Sequence, residues 1–319
     1  MGTGCGRVEP LMAPEGSLGS TDRYMVGEPE PLVLAAGPVL SSMFVLSPFV
    51  WREGPRWRLA VRAVPHRARP EEKVSRVHLG TGDDGVNFAM DDEPVLPPGP
   101  DADDGGGCED PTVVGDERGC AVFYSGWNQE TEAGRLLWAW SDGDAAAVAK
   151  RGRVLPEPNR YTNAKETSLI RTADGSWRMF FEYADGHSLI GVAEAPSLDG
   201  PWTPQPDPFG TRDASWDSWH LSPGPVVNAG TDAPVLFYNG ADRDTRWRIG
   251  WVQLGPDCRT ITARSAEPTV VPHGVSGEDS DIAFAASAVE DESGLWLYYS
   301  VSDKHLFRVR VEESARDRS

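Results

Sequence analysis

Sulfur, positive charge and long apolar runs are all scarce in this chain, and each shortage removes a class of function. The 4 cysteines, Cys5, Cys108, Cys120 and Cys258, show no C-x-x-C spacing and no nearby histidine pattern, so no zinc site is expected through them. Lys and Arg number 30 against 49 Asp and Glu, a formal net charge of −19. Nucleic acid and anionic membranes would repel so acidic a chain, and neither is expected as a partner. No run of about 18 apolar residues occurs, which leaves no spanning helix. Leu32 to Val39 is too short and too interrupted by Pro38 for a signal-peptide core, so a soluble cytoplasmic protein is expected. The stretch Asp101 to Gly107 gathers carboxylates without the spaced ligands and terminal Glu of a calcium loop. It is expected to be a solvated link, and no metal or other cofactor is expected.

Turn formers and aromatics are abundant instead: 34 Gly, 27 Pro, 12 Trp and 7 Tyr in a sequence that is 39% hydrophobic. That mixture suits many short strands around a real core, with little helix. A short apolar run, a polar turn and a Trp- or Tyr-rich strand recur about every 60 residues, a period that marks propellers and arrays. The copies begin at Ser47, Asp110, Thr167, Gly224 and Ala286, and their second strands are 57–61, 120–124, 177–181, 235–238 and 295–299. Five hairpins predict an all-β, five-bladed β-propeller over 41–312, with blades at 41–97, 108–158, 163–214, 218–272 and 278–312. Residues 1–40 read as an N-terminal arm, packed on the propeller or partly disordered, and 313–319 as a tail.

The innermost strand of each blade should face the central channel, where small-molecule sites collect at one mouth. Polar residues at the starts of the repeated phrases are therefore candidates: Ser47, Glu109 and Asp110, Lys165 and Glu166, His220 and Ser222, Asp279 and Asp281. Carboxylates held away from water must be paired or protonated, so several of them in one channel are unusual for packing alone. Pro111 should hold Asp110 extended and aim its carboxylate inward, although an ordinary Asp-Pro turn has the same spelling. Arg62, Glu182, Asn239 and Asp303 stand at matching places on or after the second strands and predict one shared rim. Strand ends reaching solvent would look alike. Trp127, Tyr183, Trp216, Trp219 and Trp247 are candidates to stack on sugar rings, against the commoner role of blade packing.

Several short pieces resemble glycoside hydrolase family 130, the β-mannoside phosphorylases and β-mannosidases, whose five-bladed propeller is related to those of arabinanases and invertases. The pieces are Leu59 to Arg62, Asp84 to Phe88, Glu109-Asp110-Pro111, Lys165-Glu166, Ser222 to Pro225, Tyr238-Asn239-Gly240, Ala263 to Ser265 with Glu267-Pro268, and Tyr298-Tyr299 with Asp303. Their order spans about residues 38 to 310. The resemblance implies that Asp110 is the general acid, that Arg62 holds sugar hydroxyls and that Asp303 lies on the nucleophile side.

The departures from that pattern bear on the nucleophile. The family's phosphorylases commonly carry Arg where Thr112 and Glu182 stand, Lys where His220 stands and His where Asn239 stands. Phosphate needs several cationic donors, and these are the positions that have lost them. A carboxylate in their place can activate water, so hydrolysis is expected, with Asp110 as acid and Glu182, or else Glu166, as base. Ser47 in place of Asn and Glu166 in place of Asp suggest an altered pocket. Arg62, Ser47, Lys165, His220, Asn239, Asp303 and Trp219 are expected to bind the small-molecule or oligosaccharide substrate. A phosphate-dependent phosphorylase is the alternative, and a propeller that only binds a sugar, or serves other chemistry, is a third.

Overall fold

The computed structural model describes residues 23–67, 69, 72–275 and 277–314; Cys5 and most of the expected tail lie outside the described residues. Paired aromatics explain why the strands assemble as they do. Phe180 and Phe181 in the strand Trp177–Ala184 are both fully buried, yet neighbouring side chains on a strand point to opposite faces. Phe181 therefore packs with Phe123 and Tyr161, while Phe180 packs with Leu221 and Tyr238. Tyr298 and Tyr299 divide likewise, the first against Val50 and Trp57 and the second against Phe237 and Trp251. A sheet apolar on both faces needs a neighbour on each side. A closed ring of such sheets supplies one everywhere.

The protein is a five-bladed β-propeller. From the axis outward, the first blade is Met43–Glu53, Arg56–Pro65, Arg76–Gly82 and Asn87–Met90. The second is Cys108–Asp116, Gly119–Asn128, Ala133–Ser141 and Ala149–Arg153. The third is Thr162–Arg171, Trp177–Ala184, Ser188–Ala195 and Thr203–Gln205. The fourth is His220–Val227, Val235–Ala241, Trp247–Leu254 and Ile261–Arg264. The fifth begins with Ala283–Asp291, Gly294–Val301 and His305–Glu313. Each of the five interfaces holds its own apolar cluster. Full burial of one Phe or Leu there contributes about 1.5–3 kcal/mol.

Part of the expected arm closes the ring. Tyr24–Val26 forms the outer strand of the fifth blade, with Tyr24 opposite Glu313, and Val33–Ala35 runs parallel to Asn87–Met90 on the first. At the axis the same junction is held by Ser287, whose Oγ donates to Pro48 O and accepts from Val50 N, both at 2.8 Å. Glu93-Pro94-Val95-Leu96-Pro97 and Glu267-Pro268-Thr269-Val270-Val271-Pro272 are similarly spelled and play one part twice, bridging the third strands of blades one and four at Val77 and Ile249.

The acidic link is not the solvated loop that its composition suggested. Asp104 is fully buried and takes Lys150 Nζ at 2.5 Å and Tyr124 OH at 2.9 Å. Asp103 pairs with Arg153. Carboxylates this close to the blade edge are bound by cations of the outer strand, which leaves Asp103 and Asp104 engaged in folding. Among the described residues there is no α-helix, and no helix long and apolar enough to cross a membrane.

Candidate active site

All five inner strands break register near their start, between Leu46 and Phe49, Glu109 and Thr112, Lys165 and Thr167, Pro223 and Val226, and Ala285 and Ser287. A bulge of this kind re-aims a side chain that regular alternation would send elsewhere. In the first three blades the bulged residue is polar and has a left-handed backbone: Ser47 at φ 52°, Asp110 at φ 48° and Glu166 at φ 45°. The extended backbone expected from Pro111 is therefore wrong for Asp110. Positive φ is uncommon outside glycine and marks a backbone conformation that its surroundings must enforce.

These side chains meet in a cavity of about 170 Å³ at the axis. It brings together Ser47, Arg62, Asp110, Lys165, Glu166, Glu182, Trp247 and Asp303, all candidates from the sequence, and adds Leu46, Ile282, Phe284 and Ser300. Arg62 Nη2 donates to Glu109 Oε1 at 2.6 Å, and Nη1 lies 3.4 Å from Asp110 Oδ1. Ser47 Oγ donates to the same Asp110 oxygen at 2.7 Å. Ser188 Oγ donates to Glu182 Oε1 at 2.6 Å, and Lys165 Nζ stands 3.4 Å from that oxygen. Asp110 and Glu182 are only 4% and 2% exposed, so these partners replace water almost completely.

The carboxyls are not equivalent. Burial raises Glu166 well above the usual carboxylate range, and the neighbouring Asp110 and Glu182 add to the rise against Lys165 and Arg62. Burial works on Asp110 in the same direction but is outweighed by Arg62, Lys165, the Ser47 hydroxyl and a hydrogen bond from Glu166, leaving it below the usual range. The two carboxyls are thus pushed in opposite directions, Glu166 toward its protonated form and Asp110 toward its ionised form, and they titrate as a pair. Burial also raises Asp303, with Asp110 adding to it and Arg62 opposing. Glu182, together with Asp110 and Glu166, stabilises the Lys165 ammonium, and Arg62 is held charged by its carboxylate neighbours against burial.

Three expected binding residues lie outside the cavity wall. Asn239 is fully buried and spends its amide on the next blade, accepting from Ala285 N at 2.7 Å and donating to Ala285 O at 3.1 Å. It is a stitch between blades four and five. His220 stacks on Trp247 at 5.5 Å, and its Nδ1 accepts from Ser188 N at 3.0 Å. Burial lowers its pKa, so it is a neutral ring with its proton on Nε2, holding the serine that holds Glu182. Trp219 stands on the rim, stacked on His187 at 4.8 Å with Arg243 over its face at 4.4 Å. Of the other aromatics, Tyr183 bonds Asp207, Trp216 stacks on Tyr238, and Trp247 alone lines the cavity.

The expected shared rim is only partly formed: of the five cross-strand equivalents Arg62, Glu182 and Ser300 line the cavity, Asn239 faces the next blade, and Ser125 lies outside the lining. Register places Arg62 opposite Leu46, Ser125 opposite Glu109, Glu182 opposite Lys165, Asn239 opposite Ser222, and Ser300 opposite Phe284. Ser300, missed earlier, is the fifth equivalent. Asp303 reaches the cavity from the following turn, at φ 53°. Thr112 is also structural, donating to Thr167 O at 2.8 Å.

Comparison with known proteins fits this arrangement. The family profile described as β-1,4-mannooligosaccharide phosphorylase, glycoside hydrolase family 130, matches residues 58–313. The chain belongs to that family. It is 27% identical over 275 residues to a β-1,2-mannobiose phosphorylase of Thermoanaerobacter sp. (strain X514), covering 82% of this chain and 87% of the relative. The β-1,2-mannobiose phosphorylase of Listeria innocua in complex with β-1,2-mannobiose superposes with a TM-score of 0.75 at 17% identity, covering 91% of this chain and 96% of that one. A putative glycosidase of Bacteroides thetaiotaomicron gives 0.73 at 21% identity, covering 95% and 96%. The fold is the family's, and the chain is a glycoside-processing enzyme by membership.

Proposed function

We propose that this protein cleaves a β-mannosidic bond of an oligosaccharide with water as acceptor. The supporting observation is that both cations of the cavity are already committed, Arg62 to Glu109 and Asp110 and Lys165 to Glu182. A phosphate dianion entering this pocket would face Asp110 and Glu182 with no unpaired cation to offset them. A neutral sugar and a water molecule meet no such penalty. The Glu166–Asp110 pair supplies the proton for the departing oxygen, and Glu182, oriented by Ser188 and Lys165, activates water. Arg62 and Ser47 keep Asp110 ionised and oriented.

Phosphorolysis is the second reading, favoured by the curated relative at 27% identity, which is named a phosphorylase. Phosphate would then have to take Lys165 from Glu182. Incubating β-1,2- and β-1,4-mannobiose with and without inorganic phosphate separates the two. Release of free mannose at a rate indifferent to phosphate is expected, and a strict phosphate requirement with mannose 1-phosphate as product would replace hydrolysis by phosphorolysis.

A further inference from the structure

A second cavity lies at the other end of blade two. The polypeptide passes the catalytic bulge at Asp110 at the start of the inner strand and reaches Asp116 at its end; Arg118 follows in the turn. Trp138 and Trp140 are two apart on the third strand of this blade, so both project to one face. With Arg118, Asp142, Arg151 and Asp199 they line a space of about 520 Å³, three times the volume of the axial cavity. Asp199 comes from blade three, which makes this a groove between blades on the face away from the catalytic mouth.

We infer that this groove is a second carbohydrate site, which binds a mannosyl unit of an oligosaccharide outside the catalytic cavity. Three properties select that ligand. The two indoles are half-buried and meet at an interplanar angle of 69° with centroids 6.4 Å apart, forming a corner rather than a flat patch. Trp138 is fixed by stacking on Phe123, and Trp140 by its Nε1–H bond to Asp142 at 2.8 Å, so the corner is set before a ligand arrives. Two arginines and two aspartates around the corner balance, so an ionic ligand gains little net charge. A neutral molecule with an apolar face and a rim of hydroxyls fits both the indoles and the planar charged groups. A pyranose is such a molecule. The choice of mannose over other sugars rests on the β-mannoside activity proposed above.

Titration of the full-length protein with a sulfur-linked β-1,2-mannotriose, which resists cleavage, followed by calorimetric stoichiometry and tryptophan fluorescence, tests this. The wild type should bind two equivalents. Trp140→Ala should weaken one of them by about tenfold, the loss expected for one stacked ring, and leave turnover of mannobiose unchanged. Arg151→Ala, a change at an exposed side chain, should weaken the same equivalent and keeps the test valid if Trp140→Ala does not fold. A single equivalent in the wild type, or two that neither variant alters, overturns the second site. Two equivalents in a protein that turns over no mannoside would preserve the site and remove the proposed activity, so the two failures are distinguishable.

Discussion

Blades one to three and blades four and five use the same backbone device to opposite ends. Each inner strand bulges at one level, but the first three present Ser47, Asp110 and Glu166 there, whereas the last two present Gly224-Pro225 and Ala286. A side chain at Gly224 has no room, since a Cβ would lie 2.8 Å from Phe237 O. Trp247, Ile282 and Phe284 form the wall on that side. The cavity is therefore mainly polar on one flank and mainly apolar on the other, where Ser300 and Asp303 of blade five are the polar members. Symmetric bulges create positions, and the residue at each position decides between chemistry and packing. The second strands show the same division, with Glu182 facing the cavity and its equivalent Asn239 turned to the neighbouring blade.

Substituting across that division should separate rate from stability. Glu182→Gln keeps the shape and removes the base, and kcat on the true substrate should fall by about 10²–10⁴-fold with the fold intact, as measured by initial rates and a melting curve. An unchanged rate would remove Glu182 from the chemistry. Arg62→Met strikes the polar flank harder in stability, because Glu109 and Asp110 lose the cation that pairs both. Stripping one partner from a buried pair costs about 3–5 kcal/mol, readable as an earlier denaturant midpoint.

Asn239→Ala, at the place equivalent to Glu182, should do the reverse. Ala285 N and O lose their partner, a cost of about 1–3 kcal/mol, while kcat measured below the melting range stays unchanged. A large loss of kcat in a stable Asn239→Ala protein would return this residue to the catalytic site.

The asymmetry also decides how much was readable in the chain. Five hairpins could be counted because short apolar runs and the polar turns between them are local signals. Asp110 and Glu166 could be singled out because carboxylates at inner-strand starts are costly without a purpose. Their φ values could not, since Pro111 favours extended backbone and the tertiary bulge overrides it. Asn239 is misplaced by the sequence because it holds the place that Glu182 holds in blade three, and only the tertiary neighbour Ala285, whose N and O it bonds, turns its amide to the next blade. Ser300 stands directly after Tyr298-Tyr299, as Glu182 stands after Phe180-Phe181, but the charged Asp303 three residues on is the more conspicuous choice, and cross-strand pairing with Phe284 identifies Ser300 as the fifth member of the set. The strands within the expected arm are not legible locally, because their partners, Asn87–Met90 and His305–Glu313, are far from them along the chain.

The smallest effect on stability should come from Glu166→Gln, and it probes the proton on the polar flank. The folded value of Glu166 lies above that of the unfolded chain, so between the two the native state holds more protons than the unfolded state. Stability conferred by this group is then fully present below the unfolded carboxylate value and is lost as pH rises through the folded one. Gln has no such penalty and can still donate to Asp110. The variant should therefore melt higher than the wild type at neutral pH, by about 2–4 °C for each kcal/mol relieved, and the gap should close toward pH 4 to 5. Turnover should fall at the same time, because the proton for the leaving oxygen is gone. Asp110 has the opposite linkage, with stability lost on acidification, and because Glu166 donates to it the difference between the two proteins reads the pair rather than Glu166 by itself. A gap that is independent of pH, or a variant less stable at pH 7, would place the proton elsewhere and leave Asp110 to act without Glu166.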